Sequence, residues 1–399
     1  MANSGKSGAP GEYQGREQAY IKHELLKAYL EKLFLIIGLG AARLGIREIC
    51  YVDCFAGPWS TDTENLADTS IGVSLRIADK CKKDLAKRGV EIHFRALYVE
   101  QNAIAFTRLE KFLSEKTPPG IEAKAWRGDF VGLRGKILDW CGPAAFVFFF
   151  IDPKGWRDVS VNVLQPLLCR SRSEFLITFM YDFVNRTASM SEWREEIATL
   201  IGEAVDVDQL TSAERETKLV GTYRKNLRLQ IPASGNWSAR SAHVRVLDRK
   251  KERAKYHLVY LTTHPRGIVE FMEISEGIDV VQRRVHAMTR QADRIERTQQ
   301  MEIFAATDFV DPLRGHASTL DVERRWIEYL SPDGKRVGVE QFADLLEQTD
   351  WFPGDFQRGL QNLIASGRVV NQDAKKKRLK HPLHWKDGEF LALVKEEKK

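Results

Sequence analysis

Tyr51-Val52-Asp53-Cys54-Phe55-Ala56-Gly57-Pro58-Trp59 reads as a strand running into a tight turn. Ile49 to Val52 is apolar and β-prone, Asp53 ends the run, and Phe55-Ala56-Gly57-Pro58 reverses the backbone. A glycine at this place permits a positive φ and lets the backbone approach a ligand with no Cβ in the way. In an open α/β sheet, ligands bind just outside the carboxyl ends of such strands, where a carboxylate suits the amino or hydroxyl groups of a nucleotide-like cofactor. Trp59 stands where the full glycine fingerprint would place a second glycine. An ordinary strand end with a structural Gly-Pro turn is the other reading.

The residues that follow favour the first. Glu91 to Val99 is a second strand ending on Glu100, an acidic position that holds ribose hydroxyls in dinucleotide folds. Glu100 is alternatively an N-cap or first-turn carboxylate for the helix Ala103 to Leu113. A third strand, Glu122 to Trp126, leads to Asp129, either a contact for an adenine amino group or the N-cap of the helix through Leu133, Ile137 and Leu138. Ala144 to Ile151 is polar nowhere, as expected of a central parallel strand buried on both faces. It ends in Asp152-Pro153-Lys154-Gly155-Trp156. Folding alone gives no reason for a carboxylate there, and the proline fixes the backbone beyond it, so Asp152 and Pro153 are the catalytic candidates. A helix around Val163 to Leu168 and a fifth strand, Glu174 to Met180, continue the alternation. The pattern predicts an α/β, doubly wound Rossmann-like sheet with Asp53, Glu100 and Asp152 at three strand ends.

The chain has 399 residues, 43% hydrophobic and 29% charged, which predicts a soluble protein of two or three domains. No apolar run reaches the ~18 residues of a membrane span. Residues 1–15 read as a flexible tail without the apolar core of a signal peptide. Five cysteines, an odd number with no C-x-x-C pair, indicate neither a disulfide framework nor a zinc knuckle and fit a reducing cytoplasm. The net charge of +6 is compatible with nucleic acid without requiring it.

The flanks complete a domain over 16–305. Ala19 to Ile37 is a helix with Leu25, Leu26, Tyr29, Leu30, Leu33 and Phe34 on one face, and Lys22, His23 and Glu24 read as a solvated first turn. A polar loop, Ser60 to Asp68, precedes a helix capped by Thr69 or Ser70. Residues 187–255 read as a charged helical insertion that would lid the site or shape substrate choice, with Tyr223 to Arg228 as a solvated helix face. Tyr256 to Thr263 is a strand, Ile268 to Met272 a second strand or a helix, and Val280 to Gln300 a long charged helix. Residues 317–399 form a separate module: helices at Val322 to Leu330, Val339 to Leu346 and Phe356 to Ile364, then a hairpin of Val369-Val370 with Leu379 to Trp385. Three helices and a hairpin resemble a winged helix, whose basic wing of Lys375, Lys376, Lys377, Arg378 and Lys380 would suit phosphate contacts. A protein-docking wing or a solvated loop is the alternative.

On Asp53-Cys-Phe-Ala-Gly-Pro58 and Ile151-Asp-Pro-Lys-Gly155, with Lys22-His23, Leu26, Tyr29-Leu30, Tyr256 to Gly267 and the tail, the chain resembles the three-Cys-motif partner family, often called TcmP. That resemblance covers most of the chain and implies a class I methyltransferase-like fold with S-adenosyl-L-methionine as cofactor. It implies Asp53, Phe55 and Gly57 in the cofactor loop, Glu100 on the ribose, Asp129 at the adenine and Asp152-Pro153 at the reacting end. It also implies a partner bearing three cysteines and resembling radical-SAM enzymes. Two positions depart from the methyltransferase pattern: Trp59 replaces the glycine after Gly-Pro, and Lys154 replaces the aromatic after Asp-Pro. Two functions follow as expectations. One is a methyltransferase-like protein acting on or with nucleic acid, in which Asp152 orients a target nitrogen. The other is a non-catalytic partner subunit in a phage-defence or mobile-element system. A third and weaker expectation is a DNA-binding regulator driven by the tail.

Overall fold

In a computed structural model of the chain, residues 9–57, 69–249, 251–299, 316–376, 378 and 380–394 are described. Helix α1 (Glu17–Leu39) and the short α2 (Ala41–Leu44) precede strand β1 (Glu48–Asp53). Then α3 (Ser70–Ala86), β2 (His93–Glu100), α4 (Ala103–Lys116), β3 (Ile121–Arg127), α5 (Phe130–Cys141), β4 (Phe146–Ile151), α6 (Val161–Leu168) and β5 (Ser173–Phe179) alternate. Short helices α7 (Tyr181–Thr187) and α8 (Arg194–Ile201), then α9 (Ser212–Leu229), lead to β6 (Arg240–Leu247), β7 (Ala254–Thr262) and the long α10 (Pro265–Thr298).

The strands form one sheet in the order β3-β2-β1-β4-β5-β7-β6. β1 to β5 run parallel, and β7 is antiparallel to both its neighbours. The chain winds outward from β1 to β3, then crosses back to β4. The carboxyl ends of β1 and β4 therefore flank the topological switch point, where this class of sheet binds ligands.

Side chains alternate between two cores, as a two-layered sheet requires. Tyr51, Phe148, Phe150 and Leu176 face α1, α3 and α10. Cys50, Val52, Phe149, Ile151, Phe175 and Ile177 face α5, α6 and α9. Every residue of β4 is buried, as its unbroken apolar run predicts. All five cysteines are free, and no helix among the described residues is long and apolar enough to cross a membrane.

The 187–255 stretch is not all helical, for it ends in β6 and the start of β7. In β6, Ala242, Val244 and Val246 point inward while Arg245 points out. The apolar alternation of Ala242, Val244 and Val246 marks a strand, although the flanking arginines resemble a solvated helix face. Ile268 to Met272 belongs to α10, which starts at Pro265, so the helical alternative holds for that stretch.

The C-terminal module contains α11 (Thr319–Tyr329), β8 (Lys335–Val337), α12 (Val339–Thr349), α13 (Pro353–Ala365), β9 (Val369–Asn371) and β10 (Glu389–Leu393). Its strands form an antiparallel sheet in the order β8-β10-β9. The partner of β9 is thus Glu389–Leu393 and not Leu379 to Trp385, where Pro382 lacks the amide that a ladder needs. Strand β8 had no signal of its own in the sequence.

This module is docked. Arg224 on α9 gives one guanidinium nitrogen to both oxygens of Asp350 at 2.6 and 2.7 Å, and Arg240 meets Asp344 at 2.6 Å. The amide of Gly354, at the start of α13, donates to Glu276 of α10 at 2.9 Å. Val322, Trp326, Phe342 and Leu360 belong to the same apolar core as the α1–α10 face of the sheet.

Candidate functional site

Four strand ends bring the candidate residues together. Asp53, the last residue of β1, is fully buried; Ser70 Oγ donates to its carboxylate at 2.6 Å and the Phe55 amide at 3.2 Å. Burial, only partly offset by these hydrogen bonds, pushes the Asp53 carboxyl up to about 7. Asp53 is therefore sealed beneath the turn, and among the described residues it does not line the cleft above.

Glu100 ends β2 and is buried, and one of its oxygens accepts from the Asn102 amide at 2.5 Å. The N-cap of α4 is Asn102, whose side chain takes the amides of Ile104 and Ala105 at 3.0 Å, so Glu100 is free of that duty. The second Glu100 oxygen faces Gly57, where any β-carbon would collide with it. Gly57 does not have a positive φ. Its missing side chain is needed for clearance and not for backbone freedom. Asp129 is exposed and caps α5, accepting from the Gly132 amide at 3.0 Å.

These residues line a cavity of about 240 Å³ over the ends of β1, β2, β3 and β4. Its walls include Phe55, Gly57, Glu100, Asn102, Asp129 and Phe130, with Lys154 and Asp158 on the far side. The volume is below the roughly 300–1,000 Å³ of ordinary ligand sites, which suits the nucleoside part of a cofactor. Trp59 and the rest of the loop 58–68 lie outside the described residues. A buried carboxylate lining a small cleft beside a glycine turn fits a ribose-bearing group.

Asp152 lies beyond the switch point. Thr178 on β5 donates to one of its oxygens at 2.6 Å, and the Lys22 ammonium of α1 forms an ion pair with the other. The side chains of Lys22 and Asp152 are 12% and 22% exposed, so this pair is largely shielded. Lys22 also stands 5.5 Å from the ring centroid of Tyr256, whose hydroxyl donates to the Gln18 carbonyl of the same helix at 3.0 Å. Pro153, next in the chain, is buried. Trp156, the next aromatic in sequence after Asp152-Pro153, stacks on Phe183 at 5.3 Å and meets Trp193 edge-on, so it is already packed.

The sequence pattern did not place Lys22, Thr178, Ser70 or Asn102 at the site. Lys22 was indistinguishable from any charge in a helix's first turns until its partner was seen. Tyr223 to Arg228, read as solvated, supplies Arg224 and Arg228 to Asp350 and Glu347 of the C-terminal module. In the basic loop, Lys375, Lys376 and Lys380 are exposed, whereas Arg378 is half-buried and pairs with Glu389 at 2.6 Å. Lys377 lies outside the described residues. A larger cavity, about 1,060 Å³, opens between α9, β6, α10 and α12, far from the strand ends. Its arginines 224, 228, 245, 283 and 290 each pair with an acidic residue, so its charge is largely spent within the protein.

No protein-family model matches the chain, and no curated protein matches it. Among solved structures, it is similar to a DUF574-family protein from Streptomyces avermitilis, 16% identical over 59% of this chain and 82% of that one, with a TM-score of 0.30. It is similar to a DUF519-family protein from Legionella pneumophila, 11% identical over 72% of this chain and 94% of that one, with a TM-score of 0.36. An O-methyltransferase from Bacillus cereus in complex with SAH is 11% identical over 58% of this chain and 80% of that one, with a TM-score of 0.29. The fold is methyltransferase-like and Rossmann-like. That assignment rests on the strand order, with its single antiparallel strand between β5 and β6, and not on these distant likenesses.

Proposed function

We propose that the chain binds S-adenosyl-L-methionine over the ends of β1 to β4 and is a methyltransferase-like protein acting on or with nucleic acid. The observation that carries this reading is the buried Glu100 carboxylate at the end of β2, which lines the cleft over the strand ends and turns one oxygen toward Gly57. Glu100 would take the ribose hydroxyls, Asp129 the adenine amino group, and Asp53 would shape the turn from below. The cofactor supplies an electrophilic methyl group, so the protein's task is to position the acceptor at Asp152 and exclude water. Exposed Lys375, Lys376 and Lys380, on a module whose helix and strand order resembles a winged helix, support the nucleic-acid part.

Thermal unfolding with S-adenosylmethionine and S-adenosylhomocysteine tests the reading. At about a hundred times its dissociation constant a ligand stabilises by roughly 2.7 kcal/mol, a shift of several degrees. The shift should be present in the wild type and absent in Glu100→Ala. A folded wild type that shows no shift refutes cofactor binding.

A second reading is a non-catalytic subunit, as the three-Cys-motif partner resemblance implies. The Lys22–Asp152 pair and the packed Trp156 favour it, since both groups that would hold a flipped base are occupied. Stable association with a three-cysteine, radical-SAM-like protein encoded nearby, without methyl transfer by the complex, would decide for it.

A further inference from the structure

An amine acceptor needs the lone pairs of a carboxylate to draw off its N–H groups. In this protein one oxygen of Asp152 receives the Thr178 hydroxyl and the other the Lys22 ammonium. The lysine arrives from α1, a different layer of the fold, and its aliphatic stem and charge are shielded beside the ring of Tyr256. Tyr256 is held in turn by the Gln18 carbonyl, one helical turn before Lys22. Helix α1 thus delivers a cation to the reacting end, and the end is electrically neutral instead of anionic.

Resting on the cofactor reading above, we infer that Lys22 fills the seat an amine would take on Asp152 and so selects an oxygen nucleophile, a hydroxyl group, as the acceptor. An ammonium repels another cation and offers nothing to a neutral amine's N–H groups, but two of its three hydrogens remain for a substrate oxygen. An oxygen lone pair of the hydroxyl forms the C–O bond as the donor's C–S bond breaks, and the hydroxyl's proton leaves to solvent. The C–S electron pair stays on sulfur, leaving a neutral thioether, and Lys22 offsets the negative charge that develops on oxygen. On a nucleic acid the matching group is a sugar hydroxyl, not a base amine.

Sinefungin, which carries an amine where the transferable methyl group would be, reads the occupancy of this seat directly. Calorimetric titration of S-adenosylhomocysteine and sinefungin into wild type, Lys22→Met and Lys22→Arg compares them. The wild type should bind sinefungin no more tightly than S-adenosylhomocysteine. Lys22→Met should tighten sinefungin about tenfold relative to S-adenosylhomocysteine, and Lys22→Arg should keep the wild-type ratio. A wild type that prefers sinefungin tenfold overturns the inference whether or not the variants fold, and so does an unchanged ratio in Lys22→Met. If neither ligand binds the folded wild type, the cofactor reading fails and the inference falls with it.

Discussion

A β-carbon on Gly57 would collide with a Glu100 carboxylate oxygen, so any side chain at position 57 forces the Glu100 carboxylate to move. Gly57→Ala should therefore displace Glu100 without touching the buried β1. The expected result is a folded protein that S-adenosylhomocysteine no longer stabilises, as in Glu100→Ala. Retention of the full thermal shift in Gly57→Ala would separate Glu100 from the ligand.

Asp53 predicts a pH dependence of stability. Its carboxyl is about 7 in the folded chain and near 4 when unfolded, so the protonated form is the one the fold favours. Its contribution is complete below about pH 4 and is lost as pH rises through about 7. At about 1.4 kcal/mol per pH unit of displacement, the ceiling is roughly 4 kcal/mol. Denaturant titrations at pH 5 and pH 8 should show this loss, and Asp53→Asn should flatten it.

The Arg224–Asp350 contact predicts an effect on docking of the C-terminal module. Burial alone would raise the Asp350 carboxyl, but His243 and Arg224 hold it well below the usual carboxylate range. Its stabilising contribution is present above about pH 4 and fades as pH falls further. Arg224→Met should cost near the lower end of roughly 3–5 kcal/mol, because solvent reaches the partly exposed Asp350. Separate unfolding of the C-terminal module at lower denaturant, with the sheet still folded, is the measurable sign.

The basic loop predicts a split among its residues. Replacing Lys375, Lys376 and Lys380 together by alanine should reduce the salt slope of nucleic-acid binding by up to about 2.7, at about 0.9 per contact, with the melting temperature unchanged. Arg378→Ala should instead lower stability, since it removes the cation from Glu389 and leaves it only Asn371 and the His384 amide. Equal effects on affinity from all four would mean that Arg378 leaves Glu389 when nucleic acid binds.

The parallel core was legible because unbroken apolar runs and acidic strand ends are local signals. β4 could be read from six residues alone, and Glu100 and Asp152 were found where the alternation put them. What escaped depends on distant parts of the chain. Lys22 meets Asp152 across 130 residues, and nothing in the composition of α1 announces that pair. The alternation in β6 was hidden by Arg240 and Arg245, which hold acidic partners on other elements. The true partner of β9 was missed because the hairpin loop is long and the nearer apolar run contains Pro382.

On the nucleic-acid reading, the docking of the C-terminal module would make the protein a gauge. A tail on a free tether would grip a strand anywhere, but this module is held to α9, α10 and β6 by Arg224–Asp350, Gly354–Glu276 and a shared core. Any polymer held both by Lys375, Lys376 and Lys380 and at Asp152 would be measured by the span between them, and the modified position would be counted from the grip as well as read from sequence.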